Sequence, residues 1–385
     1  MKLLYVIPRP RYRPYSGRDL RIESQLVALG SFAEVKLVEL GGGEFEESDS
    51  DNVEFAKINK PTSTQMAEIL NKTKPPFFYN VTISNLKKIA TEIKDFSPDI
   101  LIFSGIESAA IRIQLREVTS IPFIIDLDET VHRWSTSLQK INVEKTLKLA
   151  WKLYFPILRD YEDKLLANFD QVWVSSEIEK SVLERLHKKA ISIKVIPNAL
   201  FFEGNQRPIQ KHPDTGNQTL IFVGTFSHLP NVFAVDEIVH KIAPKLDNFT
   251  IEIIGREMPE KWLTGPQTQN IKYYRDVDDL KPFYDRALAC LIPIRTGAGT
   301  RYKALEAMAY GVPIISSEFG VEGLGLIDSR HYLRAETQED YLLQVKRLIN
   351  EEELGESLTQ NSRKHFDLYF SNTALKLKLQ EALKV

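Results

Sequence analysis

From Ala287 to Ser317 the sequence leaves the chain little freedom. An apolar run, Ala287-Leu-Ala-Cys-Leu-Ile-Pro293, has the length and composition of a buried strand. Gly297 and Gly299 follow in a loop without Cβ atoms at two points. Thr300 can N-cap a helix that runs to about Tyr310; Gly311 caps its C-terminus and Pro313 prevents continuation. Val312 to Ser317 reads as the next strand. The stretch is one βαβ unit.

Chemistry follows from that geometry. A glycine loop entering a helix presents free backbone N–H groups and the positive end of the helix dipole. Arg301 and Lys303 in the first turn add two full charges, and together these suit a phosphate or diphosphate. Glu306, three residues after Lys303, shares its helix face and is placed to accept hydrogen bonds from two vicinal ribose hydroxyls. Phosphate in front and ribose behind describe a nucleotide. The plainer reading, a glycine-ended strand and amphipathic helix as in any α/β protein, accounts for the glycines but not for Arg301, Lys303 and Glu306 in register.

The rest of the chain alternates in the same way. Strands are predicted at 2–8, 35–40, 98–104, 122–126, 171–175 and 193–196, with helices at 18–29, 83–95, 107–118, 136–168 (interrupted at Pro156) and 177–188. Residues 41–80 are polar, with an acidic run from Glu44 to Asp51, and read as a variable excursion. After a polar stretch at 203–217 the alternation restarts: strands at 220–224, 249–255 and 271–274, helices from Pro230 to about Ala243 and at 279–286, then the opening unit. This predicts parallel sheets with helices on both faces, in two Rossmann-like domains, 1–203 and 204–365. A last helix over 371–383, within the segment 366–385, is expected to pack back on the first domain. The 385 residues, 43% of them hydrophobic, suffice for two full cores. A net charge of −2 gives no global pull toward nucleic acid or anionic membrane. The one cysteine, Cys290, lies in an apolar strand, which suits a structural role and a reducing cytoplasm. No stretch has the length of a transmembrane helix, and Leu3-Leu-Tyr-Val-Ile7 is too short for a signal-peptide core. Lys140, Lys145, Lys148, Lys152 and Arg159 interleave with Leu147, Trp151, Tyr154 and Phe155, a pattern of peripheral membrane contact or, more commonly, of a packed helix with a solvated face.

The segment GTRYKALEAMAYGVPIISSEFGVEGL resembles the C-terminal donor-site motif of family-4 glycosyltransferases of the GT-B fold. The resemblance covers nearly the whole chain and is strongest from Leu220 to Leu326. It implies two Rossmann-like domains facing across a cleft and transfer of a sugar from a nucleotide-diphosphate sugar with retention of configuration. The family's usual glutamate, eight residues before the EAMA glutamate Glu306, is here Ala298, as in a subgroup with a G-x-G-x-R-x-K loop. Backbone N–H groups from Ala298 to Arg301, with Gly297, Gly299 and Thr300, are then expected to serve the donor. The family's arginine and lysine after the V-G of the first C-terminal-domain strand are replaced: Gly224 is kept, but Thr225 and Asn231 stand at those places. Arg301 and Lys303 therefore become the expected leaving-group cations, with Arg256 as a further donor-site charge. Asp276 and Val277 match the turn whose backbone reads the base edge. Gly17 and Arg18 match the loop that faces the donor from the first domain, in a segment also carrying Arg9, Arg11, Arg13 and Arg21. The loop after the 122–126 strand, with Asp126, Asp128, Glu129 and His132, matches the one that approaches the reacting sugar; Asp126, Asp128 and His132 are the catalytic candidates, and a plain helix-capping role is the alternative. Asp126-Leu-Asp128 is no metal motif in this fold, and neither a metal nor a cofactor is expected.

The expected activity is thus a cytoplasmic glycosyltransferase acting on a saccharide, lipid-linked or small-molecule acceptor. The alternatives are a nucleotide-sugar epimerase on the same fold and a noncatalytic nucleotide-sugar-binding module. A nicotinamide dehydrogenase is disfavoured because no G-x-G-x-x-G follows the first strand.

Overall fold

Near-continuous apolar runs such as LLYVI and FIIDL make strands that must be covered on both faces, and the chain arranges them in two parallel sheets. The computed structural model describes residues 1–8, 17–40, 63–71, 76, 81–115, 119–139, 145–187, 191–201, 218–264 and 270–385. The first sheet contains β1 (Lys2–Ile7), β2 (Glu34–Glu39), β3 (Ile100–Ser104), β4 (Phe123–Leu127), β5 (Gln171–Val174) and β6 (Ile193–Val195), in the order β2-β1-β3-β4-β5-β6. The second contains β7 (Thr219–Thr225), β8 (Thr250–Arg256), β9 (Ile271–Arg275), β10 (Ala289–Ile292), β11 (Ile314–Ser316) and β12 (Leu333–Arg334), in the order β9-β8-β7-β10-β11-β12. Both are doubly wound orders. Each reverses once, between β1 and β3 and between β7 and β10, and open α/β sheets bind ligands beyond the strand C-termini at that reversal.

Alternation along β1 divides the first core. Leu4 and Val6 pack with Leu101, Phe103, Phe123 and Ile125, while Leu3, Tyr5 and Ile7 pack with Ile102, Ile124 and Trp173 on the opposite face. That second face is closed by Ile22 of the helix Gly17–Gly30 and by Leu375 and Leu379 of the last helix, Asn372–Leu383. The chain thus crosses between the sheets twice. The crossings lie side by side, where Leu200 N–H donates to Phe370 O at 3.2 Å.

Several elements differ from expectation. The 107–118 helix is two short ones, Gly105–Ala109 and Arg112–Leu115; Ser108 Oγ turns back to Ser104 O at 2.7 Å instead of facing outward. The 136–168 helix is Val131–Gln139 and Lys145–Leu166, and Pro156 sits inside the second without ending it. Within that long helix Trp151 and Tyr154 pack against the first core, and Phe155 meets Trp134 and Trp151 at ring-centroid distances of 5.1 and 5.7 Å. Its outer stripe carries Lys145, Lys148 and Lys152 with exposed Leu149 and Leu153. The 41–80 excursion includes a helix, Ser63–Leu70, and the helix Leu229–Glu237 passes into a π turn at Ile238–Ile242. The acidic run 44–51, Arg9, Arg11, Arg13, Lys140 and the polar stretch 203–217 lie outside the described residues. No helix among the described residues is long and apolar enough to cross a membrane.

Candidate functional site

The segment leaving β10 holds its glycines where no side chain is at ease, Gly297 at φ +118° and Gly299 at φ +67°. The helix begins at Tyr302, with extended Arg301 as N-cap, and no side chain caps it. Thr300 does not take the capping place expected of it, because its Oγ1 accepts instead from Asn198 Nδ2 at 2.8 Å. An uncapped helix start leaves backbone donors for an anion. Gly311 ends the helix in the left-handed conformation, as its sequence position requires.

The cations reach this place by different routes. Lys303 is buried, lies 4.7 Å from the centre of the Phe222 ring and donates to Asn231 Oδ1 at 2.6 Å. Burial, reinforced by the neighbouring Arg301 charge, pushes its ammonium down to about 7. Its ammonium therefore stands at the loop after β7, beside the position where the resembled family carries its own lysine. Arg301 folds back on its loop: Nη1 donates to Gly299 O at 2.8 Å and also to Ala298 O. Its Nε and Nη2 are buried without a partner, as is the hydroxyl of Tyr302. Glu306 accepts from Tyr284 OH at 2.9 Å, and burial raises its carboxyl to about 7.

Two of the loop N–H groups expected to face a donor are already engaged. Gly297 N–H donates to Ser137 Oγ at 2.7 Å, and Gly299 N–H to Glu179 Oε1 at 3.2 Å. Both acceptors belong to the first domain, on the helices Val131–Gln139 and Glu177–Leu186. The domains are tied again by Arg133 to Glu322, and by Ser137 to Thr296 at 2.9 Å. Asn198 completes the junction. Its Oδ1 accepts from Arg21 at 2.6 Å, and its Nδ2 also reaches Asp128 Oδ1 at 3.0 Å.

On the first-domain side, Gly17 and Arg18 open the helix after β1. A Cβ on Gly17 would lie 3.3 Å from the Tyr302 ring, so glycine lets the two domains approach there. Arg18 pairs with Glu107 at 3.2 Å, which raises its guanidinium further. Asp126 is not open to a substrate: Arg21 grips both its oxygens at 2.5 and 3.0 Å, and Gln25 adds a third bond at 3.1 Å. Asp128 does face the glycine loop, since a Cβ on Gly299 would meet its carbonyl at 3.0 Å and its Oδ1 at 3.6 Å. His132 is turned toward the helix Lys145–Leu166, where Nε2 meets Asp163 at 3.0 Å. Glu129, passed over as a candidate in its own cluster, lies in the cleft. Its Cβ would sit 3.6 Å from one on Gly299, and its carboxyl hydrogen-bonds no described residue.

Around the second sheet, Gly224 and Gly255 are paired across β7 and β8, and a Cβ on Gly255 would fall 1.7 Å from Gly224 O. Thr225 and Arg256 end the same two strands opposite each other. Asn231 Nδ2 binds Thr225 O at 2.8 Å, which orients its other amide atom toward Lys303. Asp276 has φ +51°, but its N–H donates to Gly255 O at 2.9 Å, so that group is not left for a base. Val277 is the next residue along that turn. His228, which no sequence motif marked, is exposed at the N-cap of the helix Leu229–Glu237; desolvation by the surrounding chain and the charges of Arg18 and Lys303 lower its imidazole.

Residues 217–351 match the family model for glycosyl transferases group 1. Whole-chain structural similarity agrees. A sucrose-phosphate synthase from Thermosynechococcus elongatus is 15% identical, with 100% of this chain and 98% of that one covered and a TM-score of 0.64. A glycosyltransferase from Rickettsia africae is 15% identical, with 100% and 97% covered and a TM-score of 0.64. Anabaena HepE, solved with UDP and glucose, is 12% identical, with 100% and 99% covered and a TM-score of 0.61. No curated protein sequence matches. Two doubly wound domains meeting at their sheet reversals, with these structural likenesses over the whole chain, define the GT-B fold. The match to the glycosyl transferases group 1 model falls within the second domain.

Proposed function

We propose that the chain transfers a sugar from a nucleoside-diphosphate sugar to a saccharide, lipid-linked or small-molecule acceptor, with retention of configuration. The observation that carries this is the uncapped helix start at Tyr302, with buried Lys303 and Arg301 beside it and Glu306 one turn on. The slow step is departure of the diphosphate from an oxocarbenium-like sugar. Charge builds on the leaving oxygen, and donors fixed in advance stabilise it more than the ground state. Lys303, protonated once the phosphate is bound, and the free donors of Arg301 supply that stabilisation; Glu306 holds the ribose. On the retaining course the departing phosphate takes the acceptor's proton, so no separate base is needed. HepE was solved with UDP and glucose, which makes UDP the first nucleotide to test. Peripheral contact with anionic membrane is assigned to the Lys145–Lys148–Lys152 stripe with Leu149 and Leu153, and co-sedimentation with phosphatidylglycerol vesicles checks it.

A thermal-shift screen of UDP, GDP and ADP tests the donor site. A ligand that binds only the folded chain raises the melting temperature by mass action. One of the three should do so for the wild type and much less for Glu306→Gln. No shift with any nucleoside diphosphate defeats the reading. Sugar transfer, rather than interconversion of the free nucleotide-sugar, separates the transferase from an epimerase.

A further inference from the structure

We infer that Glu129, from the first domain, supplies the carboxylate that reads the hydroxyls of the donor sugar. This rests on the donor-site reading above and goes one step past it, to the part of the donor beyond the phosphates.

The glycine loop has little left with which to hold a sugar. Ala298 brings no polar side chain, and its carbonyl is taken by Arg301. The N–H groups of Gly297 and Gly299 are bound to Ser137 and Glu179. What remains on that side is cationic or faces the helix start, and suits phosphate rather than neutral hydroxyls. Sugar hydroxyls are best held by a carboxylate, which accepts two charge-assisted bonds with defined geometry.

Four carboxylates of the first domain lie near the loop, and three are committed. Asp126 is held by Arg21 and Gln25. Asp128 accepts from Asn198. Glu179 accepts from Thr130 Oγ1 at 2.6 Å as well as from Gly299. Glu129 alone of the four has no hydrogen-bond partner among the described residues, and it is half-buried. It lies in van der Waals contact with the loop, its Cβ 3.6 Å from where one on Gly299 would sit. Arg18 and Arg301 attract its charge from the two domains, while Asp128 and Glu179 repel it. Burial with that repulsion keeps it at about 7, as suits a carboxyl that becomes fully satisfied only when hydroxyls arrive. Glu129 is half-buried and its carboxyl oxygens keep some exposure, so hydroxyls entering the cleft can reach them.

Isothermal titration tests this with two probes: the nucleoside diphosphate that shifts the wild type most, and its glucose, galactose and N-acetylglucosamine derivatives. Glu129→Ala should bind the free nucleoside diphosphate within about twofold of wild type. Its affinity for the preferred nucleotide-sugar should fall by about tenfold or more, the usual consequence of losing a charged hydrogen bond. Glu129→Gln, which keeps shape and an acceptor, should fall between the two. Equal loss for the free nucleotide and the nucleotide-sugar would overturn the assignment, since Glu129 would then act on the loop as a whole. Unchanged nucleotide-sugar affinity with intact nucleotide binding would overturn it alone. A wild type that binds no nucleoside diphosphate would remove the donor-site reading and this assignment together.

Discussion

At the scale of single residues, Lys303 is the costliest group in the site. An ammonium held under Phe222, with one hydrogen bond to Asn231, is disfavoured in its charged form. Such a depressed base loses its proton in the folded chain near pH 7 while the unfolded chain keeps it to about 10. The unfolded state therefore binds more protons over that window, and Lys303's contribution to stability rises with pH across it. A diphosphate reverses the preference by restoring the proton. Nucleoside-diphosphate affinity should thus weaken as pH rises above about 7, by up to about tenfold per unit, with proton uptake in titrations run in buffers of different ionisation enthalpy. Affinity independent of pH from 7 to 9 would mean that Lys303 does not meet the phosphate. The same logic predicts that Lys303→Met keeps or raises the melting temperature, because a desolvated cation is replaced by a flexible apolar chain. Turnover should nevertheless drop by about 10²–10³, the usual loss on removing a donor to developing charge. Arg301→Ala should also lower kcat more than it raises the donor KM, but with a fall in melting temperature, since its guanidinium holds two loop carbonyls.

At the scale of elements, the glycine loop is shaped from outside itself. Gly299→Ala would force a Cβ into the left-handed region, about 1–2 kcal/mol, and against Asp128 O. The variant should melt lower and show a raised donor KM, whereas Gly30→Ala, where a Cβ would meet nothing within 4 Å, should leave both unchanged. Calorimetry and steady-state kinetics on the pair decide whether the loop must hold this conformation. The example also shows what could be read from sequence. The βαβ unit, Gly311 at its helix end and the register of Lys303 with Glu306 are local signals, and strand and helix positions followed from apolar runs. The start of the helix did not, because Thr300 was won by Asn198, a residue 102 positions away. Glu179 was hidden by a local pattern: Ser176-x-x-Glu179 reads as a capping box, yet only half of it forms. Ser176 Oγ accepts from Glu179 N–H at 3.3 Å, while the Glu179 carboxylate leaves its helix for Thr130 and Gly299. The engagement of Asp126 was hidden for the same kind of reason. Its place at a strand end is local, but its capture by Arg21 is a contact over 105 positions.

At the scale of the molecule, the donor loop is also the interdomain contact. Gly297, Gly299 and Thr300 each bond a first-domain side chain, and Arg133 reaches Glu322 just beyond the same unit. Opening the cleft must therefore break bonds that hold the loop, so domain position and loop shape are coupled. Arg133→Ala removes the tie to Glu322 and, with it, the 3.7 Å ion pair to Glu179 Oε1 that backs the Gly299 contact. Small-angle scattering of the free variant should give a larger radius of gyration than wild type, because the remaining ties are short-range and few. Saturating nucleotide-sugar should contract both proteins toward the same radius, since a ligand held by both domains favours the closed form through its differential affinity. The variant's apparent donor affinity should fall by the fraction of molecules left open, with kcat nearly unchanged once the site is filled. Glu322→Ala should reproduce that pattern, and the double variant should add little, because both changes remove the same pair. Equal radii for variant and wild type, free and bound, would show that Arg133 and Glu322 do not govern closure. Fully additive losses in donor affinity would show that the two residues act on the donor separately.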